Sequence, residues 1–430
     1  YTDFARRGYF SCSDERINRI QEMCHWSTVS NFFGIPTDCP HREKNAWTGD
    51  AGISVEQILM NFQSVRAFLK WLDDIVDSQR PNGMIPCVVP STGWGYHWGN
   101  GPDWSNGLVA SVWYCYLYTG DKEILRKYFP ALQKHFSCML SMSQDYIVDY
   151  GIGDWCAPFV GPAVSENMSS FKAPVSLTDT SFFYNTAEIL EKICVLLGWD
   201  SSYYREMRIK IKASIYHRFI GENGEVAGNC QTSDACILFQ GLAEGQTEEK
   251  ILHHLVNCIK ENNWHIDFGI LGCKFVPHVL GDHGAVDVFY KMLSQPDFPG
   301  FQHWLDMGAT TLFECWNGLG SHNHHMFSNV SAAFYQYIGG IKVDEKYPGF
   351  RRFRIQPGLF RELEWVRCSH ECLHGVISVI WKKSGTKIEM TITVPFGTQA
   401  ELVLPASVED EKIPKILESG VHKLELSMAE

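Results

Sequence analysis

No stretch of the sequence reaches about 18 uninterrupted apolar residues, so nothing in it reads as a membrane-spanning helix. Basic residues are in deficit: 37 Lys and Arg stand against 49 Asp and Glu, a formal charge of −12. That balance argues against nucleic acid or an anionic membrane as partner, whereas an uncharged ligand is indifferent to it. No Cys pair has the CxxC spacing of a zinc site; Cys368 and Cys372 come nearest, as CxxxC without partners, and no metal is expected there. The 15 cysteines are scattered, often inside helical patterns (Cys24, Cys115, Cys138, Cys194), which reads as buried free thiols in a reducing compartment. The chain opens at Tyr1 with neither Met nor a signal-like or transit-like segment, and cytoplasmic placement is the expectation. No internal repeat is visible.

What is present describes an ordinary globular chain, 45% hydrophobic and 20% charged, long enough at 430 residues for one large domain and a smaller one. Aromatic content is 13% with 14 Trp, which suits sugar stacking and a large helical core equally. A capping-box pattern, Ser11-x-x-Asp14, opens a helical period over 11–33 (Ile17, Ile20, Met23, Cys24, Phe32). Further helices are predicted at 53–76, 108–119, 123–140, 178–197, 203–219, 233–243, 248–262, 276–280, 285–293 and 327–338, the last ended by Gly339-Gly340. Between them, 79–106 and 149–175 carry Pro, Gly and Trp without a period, and loops of that length inside a domain are usually functional. Helices joined by short turns pack antiparallel, and repeated hairpins close into a toroid or stack into an open solenoid; the period does not choose. After Gly340 the pattern alternates: Ile388, Met390, Ile392 and Val394 face one way, Glu389, Thr391 and Thr393 the other. With strands also at 376–382 and 401–404 and a turn at Ser384-Gly385, residues 341–430 read as a small antiparallel β-sandwich after a helical domain over 1–340.

The densest chemistry lies in residues 36–50, where Asp38, Glu43 and Asp50 stand with His41, Arg42 and Trp47 between two helical patterns. Charge at that density is seldom buried unless paired. A partly buried carboxylate cluster spreads pKa values apart, leaving one acid protonated while its neighbours ionise. Trp47 offers a flat face for the C–H side of a sugar. A salt-bridged loop tying two helices together is the plainer alternative. Glycoside hydrolysis needs a second carboxyl group across the scissile bond. Glu314 suits that part: it ends the uncharged run 308–313 and lies between Trp304 and Trp316, where burial would desolvate it.

The run Asp38-Cys39-Pro40-His41-Arg42-Glu43-Lys44-Asn45-Ala46-Trp47-Thr48-Gly49-Asp50 resembles the signature of the bacterial α-L-rhamnosidases, glycoside hydrolase family 78. Other landmarks of that family follow in order: Trp98-Gly99-Asn100-Gly101-Pro102, Gly153-Asp154-Trp155, Gly308 to Glu314, and Asn323-His324-His325-Met326-Phe327. The resemblance covers residues 10 to 360, and the tail resembles the family's closing β domain. It implies a mainly α fold, an (α/α)6 toroid followed by the β-sandwich. It also implies an inverting reaction, with Glu43 as general acid and Glu314 as general base activating a water, the two carboxyl groups ~6.5–9.5 Å apart. Asp38 and Asp50 match carboxylates that bind the rhamnose hydroxyls and keep Glu43 protonated. Arg42 is expected to pair with one of those aspartates. Trp47, Trp104 and Trp155 match aromatic walls of the pocket, and Asp154 and His324 match groups that bind the sugar. No metal site is evident around His322, His324 and His325, where neither an i,i+4 pair nor converging acids occur, so no metal and no cofactor is expected.

The sequence departs from the family in three ways. Trp104-Ser105-Asn106 lacks an Asp usual just after the Trp, leaving Asp103 or Asn106 as substitutes. Cys315 stands where Arg is frequent after the base, and only about 37 residues precede the signature where β domains are usual. The expected substrate is a rhamnose-containing glycoside or oligosaccharide, with the aglycone and any homo-oligomer left open. The rival readings are another exo-glycosidase on the same toroid and a catalytically dead carbohydrate-binding or scaffold protein.

Overall fold

Apolar residues one helical turn apart mark the helices that face solvent on one side. Residues 204, 207, 211, 215 and 219 are buried along Ser202–Phe219, and 251, 255 and 259 along Gln246–Glu261. The computed structural model describes residues 2–91, 93, 95–158, 172–405, 408 and 413–428. Of the irregular stretch 149–175, residues 159–171 lie outside the described residues.

The helices are α1 (Glu15–Ser30), α2 (Thr48–Asn61), α3 (Val65–Ser78), α4 (Pro102–Thr119), α5 (Lys122–Met142), α6 (Val175–Leu197) and α7 (Ser202–Phe219). After them come α8 (Gln231–Phe239), α9 (Gln246–Glu261), α10 (Ile270–Asp282), α11 (Val286–Leu293), α12 (Phe301–Asp306) and α13 (Val330–Ala333), the last running into a π-helical turn at Phe334–Ile338. Alternate members are buried nearly all round: every residue of α2 and α13, and almost every residue of α4, α8 and α10. These and α6 form a ring in which α2 touches α4, α4 touches α6, and so on through α8 and α10 to α13, which returns to α2. Helices α1, α3, α5, α7, α9 and α11 alternate with them along the chain. The ring closes as a toroid of six hairpins, as the resemblance implies.

Close approach within the ring depends on missing side chains. A Cβ on Gly52 of α2 would lie 2.9 Å from the Gly107 backbone of α4, and one on Gly107 would lie 2.4 Å from the Thr48 carbonyl.

Two sheets complete the chain. One contains β1 (Gly8–Cys12), β4 (Trp365–Cys372), β5 (Gly375–Ser384), β6 (Lys387–Val394) and β9 (Gly420–Ser427), antiparallel and in that order. The other is β2 (Ile341–Val343), β3 (Arg352–Ile355), β7 (Gln399–Leu402) and β8 (Ile416–Leu417), in which β3 and β7 pair in parallel, the one exception to the antiparallel expectation. Strands β5 and β6 meet in a two-residue turn at Gly385-Thr386, with Gly385 at φ +62°.

The sequence reading needs four corrections here. Residues 8–12 form a strand paired with β4, with Phe10 opposite Cys368, so the first helix begins only at Glu15 and is capped by Asp14, not Ser11. Helix α2 starts at Thr48, five residues before the predicted 53, and ends at Asn61, so the single helix predicted over 53–76 is two, α2 and α3, parted by the extended backbone of Phe62. Helix α4 starts with Pro102 as its first residue, which takes Trp104 out of the loop and into the first helical turn. The short segment 276–280 is the middle of α10.

Candidate active site

At one mouth of the ring the chain surrounds a cavity of about 550 Å³. Its walls come from loop 38–47, the first turns of α2 and α4, loop 152–155 before α6, and loop 314–326 before α13. Of the residues singled out in the sequence, Asp38, Arg42, Glu43, Trp47, Asp50, Trp104, Trp155, Glu314 and His324 all line it.

The first loop is closed by Asp38 and Asn45. The Asp38 N–H donates to the Asn45 carbonyl at 2.8 Å, and the Asn45 N–H returns to Asp38 Oδ1 at 2.9 Å. Lys44 takes a left-handed φ of +59° to make the reversal, and the Thr48 N–H is held by the Cys87 carbonyl at 2.8 Å. Glu43 projects from this loop, exposed, with Oε2 accepting the Trp47 indole N–H at 2.8 Å. Across the cavity, loop 314–321 is pinned end to end: the Glu314 N–H donates to the Ser321 carbonyl at 2.8 Å, and the Ser321 N–H donates to Glu314 Oε2 at 2.7 Å. Gly320 lies at φ +78°, and a Cβ there would come within 2.5 Å of Glu314 Oε2. The turn therefore tolerates only glycine if the carboxylate is to stay in place.

Arg42 corrects the sequence reading. Its guanidinium donates to Glu314 Oε2 at 2.6 Å rather than pairing with Asp38 or Asp50. Both bonds to Glu314 fall on Oε2, and Oε1 accepts none from the described residues. The Glu314 carboxyl is mostly buried, and burial raises its pKa. The Ser321 N–H and Arg42 lower it, while the charge of Glu43 raises it, for a net upward shift. Glu43 and Glu314 thus share one cavity and feel each other, yet no hydrogen bond joins them.

The floor is acidic and its side chains are buried. Burial pushes Asp38 up to about 6, with Glu43 adding to the rise against bonds from Cys39 and Asn45. Asp50, in the first turn of α2, is held well above the carboxylate range by burial first and by the charges of Asp38 and Glu43 next. His324 lies between them, Nε2 at 3.8 Å from Asp38 Oδ2 and Nδ1 at 3.6 Å from Asp50 Oδ1. Burial drives its pKa well down, so it is a neutral imidazole. The Met326 N–H donates to His324 Nδ1 at 3.4 Å, which leaves the ring proton on Nε2, facing Asp38.

The remaining wall is apolar. Trp47, Trp104, Trp155, Ile152 and Met326 line it, and Trp98 stands edge-on to Trp47 with ring centroids 6.1 Å apart. Trp98 and Met326 lie inside sequence landmarks that by themselves mark no role for them. Ile152 and Leu319 carried no sequence signal of their own.

Three aspartates near the mouth serve the backbone. Asp154, expected at the sugar, is buried and turned to α10: its oxygens accept from the Gly269, Leu271 and Gly272 N–H groups at 2.9, 2.9 and 3.1 Å and from the Thr232 hydroxyl at 2.5 Å. It does not line the cavity. Asp103 accepts from the Trp104, Ile152 and Gly153 N–H groups, and Asp179 from those of Tyr150 and Gly151, so the pair clamps the loop that carries Ile152 and Trp155. Asp103 and Asn106, the two substitutes the sequence offers for the Asp usual after the Trp, do not line the cavity.

Comparison with known proteins agrees with the six-hairpin fold. The family model described as the bacterial alpha-L-rhamnosidase 6 hairpin glycosidase domain matches residues 5–338, and the bacterial alpha-L-rhamnosidase C-terminal domain matches 340–415. An alpha-L-rhamnosidase of Formosa agariphila is 29% identical over 94% of this chain and 44% of its own length; one of Streptomyces avermitilis is 28% identical over 93% and 39%. The chain thus spans less than half the length of these curated relatives. Among solved structures, the α-L-rhamnosidase of Dictyoglumus thermophilum superposes with a TM-score of 0.87 at 30% identity, covering 100% of this chain and 50% of that one. The Streptomyces avermitilis enzyme complexed with L-rhamnose superposes with a TM-score of 0.88 at 26% identity, covering 100% and 42%. With a family model spanning most of its length, the chain belongs to the bacterial α-L-rhamnosidases of the six-hairpin glycosidase fold.

Proposed function

We propose that this chain carries the catalytic domain of an inverting α-L-rhamnosidase, spanning residues 1–340, with 341–430 as a β domain to which strand β1 is lent. The carrying observation is the way Glu314 is held. Arg42 and Ser321 occupy Oε2 and leave Oε1 open in the cavity that also contains Glu43. In the proposed reaction Glu43 donates its proton to the glycosidic oxygen as the bond from that oxygen to the anomeric carbon breaks. A water attacks that carbon from the opposite face and gives its proton to Glu314 Oε1. No covalent intermediate forms. Asp38, protonated Asp50 and neutral His324 offer acceptors and donors to ring hydroxyls, and Trp104, Trp155, Ile152 and Met326 offer an apolar wall to the C5 methyl of a 6-deoxy sugar. The substrate is a rhamnose-containing glycoside or oligosaccharide, cleaved at its terminal non-reducing rhamnose. The 15 free thiols support placement in a reducing compartment, the cytoplasm.

Hydrolysis of a panel of nitrophenyl glycosides, with the first-formed anomer followed by proton NMR, tests this reading. Cleavage confined to the α-L-rhamnoside and initial release of β-L-rhamnose are expected. Binding of L-rhamnose without turnover would instead identify a carbohydrate-binding protein, and initial α-anomer would overturn inversion.

The pH profile follows from the sign of the Glu314 shift. A general base works ionised, so kcat/KM falls as pH drops through its pKa, and a raised pKa places that acid limb above 4.5. Arg42 lowers this pKa and is not among the main influences on Asp38, which titrates nearby at about 6. Arg42→Gln is therefore expected to move the acid limb to higher pH. A limb that stays in place, or moves down, would separate Arg42 from the base.

A further inference from the structure

Away from the cavity, α8 and α9 bring three ligand-type side chains together. Asp234 lies in the first turn of α8, and His254 and Cys258, four residues apart, share one face of α9. Asp234 Oδ2 is 2.6 Å from His254 Nδ1, and Cys258 Sγ is 3.6 Å from both ring nitrogens of His254. All three ligand atoms lie within 4.8 Å of one another. Asp234 is fully buried, and its second oxygen, Oδ1, accepts no hydrogen bond from any described residue. A buried carboxylate oxygen without a donor is costly and rare, so the contact with His254 does not by itself account for the acid. His254 and Cys258 retain some exposure, which gives the cluster a solvent side.

We propose that Asp234, His254 and Cys258 form a binding site for one divalent d-block cation, with zinc the best match to an oxygen, nitrogen and sulfur donor set. Tetrahedral zinc with such ligands at ~2.0–2.3 Å sets the donor atoms roughly 3.3–3.6 Å apart. The nitrogen–sulfur separation already has that value, and the Asp234–His254 contact opens to it by less than about 1 Å through rotation of the carboxylate. On binding, Cys258 releases its thiol proton to solvent, the proton held between Asp234 Oδ2 and His254 Nδ1 is given up to solvent or passes to Nε2, and His254 coordinates through Nδ1 as the neutral Nε2–H tautomer. Water takes the fourth position on the solvent side. The thiolate disfavours magnesium and calcium, which take oxygen ligands. None of the three residues lines the sugar cavity, so the ion would fasten the outer helix α9 to the ring helix α8 and take no part in hydrolysis. The sequence shows only two of the three ligands, His254 and Cys258 at i,i+4; the third comes from another helix.

Cobalt titration of the full chain, stripped with a chelator and kept reduced, tests the assignment. One equivalent is expected to bind, with a thiolate-to-cobalt absorption band and tetrahedral visible bands that zinc abolishes by displacement. Cys258→Ser should remove the thiolate band, and His254→Gln, which keeps the thiol, should weaken binding at least tenfold. Glycosidase activity, measured alongside, should be the same with and without the ion. Absence of the thiolate band in the unmodified chain, its survival in Cys258→Ser, or undiminished affinity in a folded His254→Gln would each overturn the proposal.

Discussion

Glu314→Gln is expected to lower kcat by about 10²–10⁴-fold, the usual contribution of a positioned general base, with little change in stability. The amide oxygen can still accept from Ser321 and Arg42, so the loop stays pinned. The site already disfavours the ionised form by burial, and a neutral amide suits it. Arg42 loses its ion pair, but its side chain is about half exposed (46%) and a pair of that kind contributes little. Glu43→Gln is expected to fall comparably on natural glycosides, for a different reason. A leaving group that departs readily, such as a nitrophenolate, needs little protonation, whereas an alkoxide needs it fully. The Glu43→Gln deficit should therefore shrink on nitrophenyl rhamnoside and grow on an alkyl rhamnoside, and the Glu314→Gln deficit should be similar on both. Steady-state rates on the two substrates decide the assignment: a strong leaving-group dependence in Glu314→Gln would exchange the roles, and wild-type rates in both variants would remove them from the reaction.

The acids show which part of such a site a sequence can carry. Asp38, Glu43 and Asp50 are legible in one dense motif, and Glu314 at the end of an uncharged run between two Trp; the fold brings all four to one cavity. Asp154 was no less conspicuous beside Trp155, but its carboxylate holds the N-terminus of α10, more than a hundred residues downstream. The side chain that binds backbone N–H groups and the one that binds sugar are the same chemical group, and only the position of the distant helix tells them apart. Arg42 misleads for a related reason: the aspartates expected to pair with it, Asp38 and Asp50, lie within eight residues, whereas its partner in space is 272 residues away. Helices followed the same division. Amphipathic outer members such as α5 and α9 announce themselves by their period, while α10, buried nearly all round, shows only a weak one and is legible in the sequence only as a fragment. Strand β1 alternates buried and less buried residues as a strand should, but five residues whose partner lies near position 368 are easily absorbed into the helix that follows.

At the heart of the ring lies a cluster that no motif indicated, and Lys274→Met is expected to destabilise the chain by about 3–5 kcal/mol, the usual effect of stranding one member of a buried ion pair. Glu56 of α2 accepts from Lys274 Nζ at 3.1 Å and contacts His278 Nε2 at 3.0 Å, both on α10, while Gln336 of the π-helical turn donates to its other oxygen at 2.7 Å. Burial alone would push Glu56 up, but Lys274 and His278 outweigh it and hold the carboxyl far below its usual range. The Tyr114 hydroxyl of α4 also donates to Glu56 Oε2, at 3.3 Å, so α2, α4, α10 and the turn after α13 meet on one charge whose compensation is mainly Lys274, itself lying 4.6 Å from the Tyr114 ring centre. Methionine keeps most of the lysine volume and removes the charge, so the loss reports electrostatics and not a cavity. The double variant Glu56→Gln with Lys274→Met leaves no charge to strand and should regain most of the stability, giving a large coupling energy in the double-mutant cycle. The midpoint of urea-induced loss of helical signal measures all four proteins. Additive losses in the double variant, or a Lys274→Met midpoint equal to wild type, would mean that packing between α2 and α10, and not this ion pair, holds the two sides of the ring together.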